Sequence, residues 1–71
     1  MRRFLLNRQV DDTGVSGDGI VAEGCEFWDK RITMRWRSNT PSWVFYDCIE
    51  DAMLVHGHDG HTMVVWLDHD N

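Results

Sequence analysis

Three histidines fall at His56, His58 and His61, in the run His-Gly-His-Asp-Gly-His. Three imidazoles this close could ligate zinc, which takes four tetrahedral ligands from His, Cys or Asp. Asp59 or Cys48 would supply the fourth. No Cys-x-x-Cys pair and no second ligand cluster accompany them. A turn explains the same residues: Gly57 ends a helix and Asp59-Gly60 leads into a strand. His56, His58 and His61 are therefore candidates for a small zinc-stabilised domain, while the turn reading assigns no metal and no cofactor.

Cys25 and Cys48 are the only thiols. Either could pair with a histidine as nucleophile and base, but nothing in the spacing brings such a pair together. Two thiols do not make a disulfide framework. The glycines of Gly14-x-x-Gly17-x-Gly19 have neither P-loop nor dinucleotide spacing. The sequence thus argues against an enzyme.

Arginine and tryptophan offer a different chemistry. Arg31, Arg35 and Arg37 recur at odd positions of one extended run, with Lys30 beside them. Trp28 stands before that run, at a hairpin tip, and Trp43 follows the loop that holds Pro41. Exposed Trp beside Arg is the composition of protein-binding hot spots. It also suits single-stranded nucleic acid, which stacks on aromatics along a basic groove. Glu23 and Glu26 on a neighbouring strand could neutralise the row. We expect Trp28, Arg31, Arg35, Arg37 and Trp43 to form a protein-binding surface.

These residues need elements to hold them. Residues 31–37 alternate strictly, with Ile32, Met34 and Trp36 on one face, the signature of a half-buried strand. Residues 3–8 read as an earlier strand, 11–19 as a Gly/Asp-rich loop, and 20–28 as a second extended run with a bulge or bend at Gly24. Asp29-Lys30 reads as a hairpin turn. Trp43-Val44-Phe45-Tyr46 is a strand apolar on both faces. Asp47 is the expected helix N-cap, with Glu50 completing a capping box. Ile49, Ala52, Met53 and His56 share the helix's inner face, and Gly57 suits a left-handed end. Residues 62–67 form the last strand.

The order is β-β-β-β-α-β: mostly β with one short helix. It suits a small SH3-like barrel or a strongly bent antiparallel sheet. An open sheet with the helix on one face is the alternative. Such barrels host many functions, so topology names none.

The 71 residues make a single small domain spanning 1–71. A chain this size buries only about 60% of its unfolded surface, so depth for a cleft is scarce. Net charge is -5, and residues 38–71 carry six acids and no Lys or Arg. Met1 to Asn7 lacks the apolar stretch of a signal peptide, and no run reaches membrane-span length. The expected location is cytoplasmic.

The stretch Thr13-Gly14-Val15-Ser16-Gly17-Asp18-Gly19 through Gly24 resembles small uncharacterised proteins of actinobacteria and their phages. Met34-Arg35-Trp36, Tyr46-Asp47, Ile49-Glu50-Asp51, His56-Gly57-His58 and Val65-Trp66-Leu67-Asp68 carry the same resemblance. It departs at Asp29-Lys30, where that pattern has Asp-Gly, and at Cys48, where it has serine. The resemblance implies a phage or mobile-element setting and transfers no site residue.

The expected function is a non-enzymatic binding module, a phage-related accessory protein that docks on a host protein. A small-barrel binder of single-stranded nucleic acid is the second reading, made less favourable by the net charge. A homodimer is also open.

Overall fold

The computed structural model describes residues 1–8, 19–57 and 61–69. The loop read at 11–19 lies outside these except for Gly19, as do His58, Asp59 and Gly60. Five strands and one helix follow in the expected order: β1 (Arg2–Arg8), β2 (Gly19–Glu26), β3 (Ile32–Trp36), β4 (Trp43–Tyr46), α1 (Ile49–His56) and β5 (Thr62–Trp66). All pairings are antiparallel, in the spatial order β4-β3-β2-β1-β5. The sheet is not closed: β4 and β5 remain its two edges. The barrel form of the expectation therefore gives way to the open sheet. Closure would need the edge strands to pair, which local patterning cannot specify.

Side chains alternate across a sheet, and here one face is the core. Phe4 and Leu6 from β1, Ala22 from β2, and Ile32 and Met34 from β3 are buried there, with Val21 and with Ala52 of α1. Trp36, Val44, Tyr46, Ile49, Met53, Val64 and Trp66 pack around them. An eight-residue helix is marginal alone; its inner residues Ile49, Ala52 and Met53 hold it on the core. His56, the fourth residue of that stripe, is half-buried. Its Nε2 and the Tyr46 hydroxyl hydrogen-bond at 2.8 Å, and its ring meets Trp36 edge-on at 4.7 Å.

Three local expectations are corrected. The helix N-cap is Cys48, in extended backbone and without a side-chain cap hydrogen bond. Asp47 instead lies 3.5 Å from Arg31 Nε, because the chain leaves β4 beside the β2–β3 hairpin. Gly57 is right-handed helical (φ -71, ψ -20), its N–H bonded to the Met53 carbonyl at 2.9 Å. The bulge lies at Val21, where the β1–β2 register slips between Leu6 and Asn7. This explains why adjacent Val21 and Ala22 are both buried. Gly24 stays in register, opposite Phe4 and Met34.

The β2–β3 turn is longer than the expected pair. Phe27 N–H donates to the Arg31 carbonyl at 2.8 Å and Lys30 N–H to the Phe27 carbonyl at 3.0 Å. Residues 28–30 form the loop, and Lys30 adopts φ 75, the left-handed position that glycine favours. Lys30 also approaches Glu26 at 4.0 Å, with its side chain 61% exposed, a contact worth little. Lys30→Gly is expected to stabilise the fold by about 0.5 kcal/mol, relief of the left-handed penalty being partly offset by the greater unfolded-chain entropy of glycine. Thermal melting should show a rise of about 2–4 °C; a fall would mean that the ion contacts of Lys30 outweigh its strain.

Candidate docking face

The helix covers one face of the sheet, and the other carries a second apolar set. On β4, Trp43 is 58% exposed and Phe45 74% exposed. On the far edge, Met63, Val65 and Leu67 are exposed in the same sense. Leu5, Cys25 and Thr33 lie between them, half-buried. Edge strands with apolar side chains on both faces produce this result: one set enters the core and the other faces outward.

Charge is set within this apolar field. Arg35 is the cross-strand partner of both Glu23 on β2 and Trp43 on β4. Its guanidinium lies 5.0 Å from the centre of the Trp43 ring, within cation–π range. A shallow depression of about 350 Å³ runs between Leu5, Cys25, Thr33, Arg35, Trp43 and Leu67. At its rim Arg3 grips Asp68 with two side-chain hydrogen bonds of 2.9 Å, and its backbone N–H adds one of 2.8 Å. These bonds hold the Asp68 carboxyl well below the usual carboxylate range.

The expected surface residues are placed in three groups. Arg35 and Trp43 meet on the outer face. Trp28 is 89% exposed at the hairpin tip. Arg31 shares that tip, bonded to Asp29 at 2.7 Å and near Asp47 at 3.5 Å. Arg37 lies just past β3, where it shares a depression with Arg8, Trp36 and Ser38. Within the run 31–37, Ile32 and Met34 are buried and Trp36 is half-buried, while Arg31 and Arg37 are exposed and Arg35 is half-buried against Trp43. Phe45, Met63, Val65 and Leu67 were not expected at the surface. The signal was present: both edge strands are apolar at successive positions, more than a one-sided core can absorb.

Of the zinc candidates, His56 is engaged with Tyr46, and His58 lies outside the described residues. Among the described residues no group of three or more His, Cys, Asp or Glu side chains is placed to hold a metal. No helix of the described residues is long and apolar enough to cross a membrane.

A family model, Acb5 phage protein, matches residues 1–68. The chain belongs to the Acb5 phage protein family. The match takes in the five strands and the helix of the described residues, and with them the outer face of the sheet. Searches of curated proteins and of solved structures found no match. The phage setting implied by the sequence resemblance is thus shown at the level of the family.

Proposed function

We propose that this Acb5-family chain is a non-enzymatic, cytoplasmic accessory protein that docks on a host protein through the outer face of its sheet. An actinobacterial host is the setting that the sequence resemblance suggests. The observation that supports docking is the pairing of an apolar face that no described element covers with Arg35 stacked on Trp43. Exposed apolar patches of more than a few hundred Å² mark interaction sites on small proteins. Five strands about 4.8 Å apart and roughly five residues long give the whole face, its charged Arg3, Glu23 and Arg35 included, a footprint on the order of 400 Å². That suits a compact interface anchored by aromatic and Arg side chains.

Co-purification from host lysate tests the reading. The wild-type chain is expected to retain a defined partner, and Trp43→Ala and Arg35→Glu are each expected to weaken retention at least about tenfold. Both variants should keep the wild-type circular dichroism, since Trp43 is exposed and Arg35 only half-buried. Undiminished retention by both variants would show that this face is not used. The nucleic-acid reading draws on the same Arg35–Trp43 stack. Salt-sensitive retention on single-stranded DNA would put it in place of the first.

A further inference from the structure

Beside the β2–β3 hairpin tip, at the end of the sheet, lies an open cleft of a different character. It has a volume of about 540 Å³ between the hairpin, the end of β4 and the first turn of α1. Four aromatic side chains line it: Phe27, Trp28, Phe45 and Tyr46. Three of these rings are open to solvent, Phe27 at 40%, Phe45 at 74% and Trp28 at 89%. Aromatic rings present a negative face, which attracts a cation and repels an anion.

The ionised groups of the cleft point the same way. Asp29, Asp47 and Asp51 line it, with Arg31 as the one cation among the described lining residues. Arg31 bonds Asp29 at 2.7 Å, and this pairing holds the Asp29 carboxyl below its usual range. Its Nε stands 3.5 Å from Asp47. Among its described residues the cleft therefore sets three carboxylates against one guanidinium, whose ion pairs go to Asp29 and Asp47 and not to Asp51. An anionic ligand would meet both the surplus carboxylates and the ring faces. A neutral one would leave the surplus charge uncompensated.

We infer that this cleft receives a lysine or arginine side chain of a protein partner, its charge balanced by Asp51 and Asp47 and its stem held against Trp28 and Phe45. The inference rests on the docking reading for the source of the cation, since it adds a cation socket at the neighbouring end of the sheet, which shares Phe45 with the outer face. The chemistry of the cleft is independent of Arg35 and Trp43, neither of which lines it.

The test uses small probes on the whole chain. N-acetyl-lysine methylamide and tetramethylammonium chloride are titrated while the Trp28 indole N–H is followed by NMR, with sodium chloride matched for ionic strength. A saturable shift is expected for both cations and none for the neutral N-acetyl-norleucine methylamide. Trp28→Ala (followed at the Phe45 ring) and Asp51→Asn are each expected to weaken the midpoint roughly three- to fivefold. Both positions are exposed, so the fold should persist. Arg35→Glu should leave the midpoint unchanged, which separates this inference from the docking face. A shift no larger than that from sodium chloride, an equal shift with the neutral analogue, or an unchanged midpoint in Asp51→Asn would overturn it.

Discussion

Glu26→Ala is expected to cost the fold about 3 kcal/mol. Glu26 is 5% exposed on the core face of β2, directly across from Arg2 on β1. Its Oε1 accepts from Arg2 Nε at 3.1 Å and from Nη2 at 3.0 Å. The same guanidinium lies 3.7 Å from the Trp66 ring centre on the far side. Removing the carboxylate leaves a largely desolvated guanidinium whose remaining neighbour among the described contacts is the Trp66 ring. Arg2 keeps 19% of its side-chain exposure, so some hydration returns and the cost falls at the lower end of that for broken buried pairs. Glu26→Gln keeps an acceptor and should cost about half as much. The Arg2→Met, Glu26→Ala double variant should recover part of the loss, because no charge is then stranded. Urea unfolding of the wild type, Arg2→Met, Glu26→Ala and the double variant checks this. Additive losses would mean that the two side chains are not coupled.

Phe4→Ala should cost about 3–4 kcal/mol. Phe4 is fully buried, meets Trp66 edge-on with centroids 5.4 Å apart, and lies over Gly24. Glycine is required there by space. A Cβ at position 24 would sit 2.8 Å from Phe4 Cζ and 3.1 Å from Met34 Cγ, and would press on the Thr33 carbonyl. The bare backbone lets the Phe4 ring close over the middle of the sheet, between β5 and β3. Domains of this size have only a few kcal/mol to lose, so the melting temperature should drop by about 15 °C or more. Gly24→Ala should cost about 1–3 kcal/mol through crowding. Added to Phe4→Ala it should cost less than when made alone, the ring having gone while the Thr33 carbonyl remains. A Phe4→Ala protein melting within a few degrees of wild type would contradict this account of the core.

Residues 31–37 show what patterning made legible. Their alternation named Ile32, Met34 and Trp36 as inward and Arg35 as outward, because a pleated strand leaves no other arrangement. The helix stripe Ile49, Ala52, Met53 and His56 was legible for the same reason at a period of 3.6. The details of the ends were not. Asp47 satisfies the composition of an N-cap, yet its place beside Arg31 depends on a hairpin sixteen or more residues earlier. Gly24 reads as a bend by type. Its role as the floor beneath Phe4 depends on β1–β2 pairing.

The candidate site divides along the same line. Arg35 and Trp43 could be named from composition and parity, and they meet. Trp28 and Arg31 could be named too, but the hairpin carries them to a separate, acid-rich cleft, and Arg37 lies beyond the other end of β3. Phe45, Met63, Val65 and Leu67 went unnamed, since each belongs to a strand apolar on both faces.

By itself the sequence determined which residues alternate, roughly where the hairpin and helix lie, and that β4 would offer two apolar faces. Only the tertiary structure decided that β4 and β5 stand apart as open edges and which of their faces the helix covers. Alternation and helical period are enforced between near neighbours, whereas the β1–β5 pairing joins residues more than fifty positions apart. The side on which a single short helix packs follows from that long-range order. It leaves Trp43, Phe45, Val65 and Leu67 exposed to solvent.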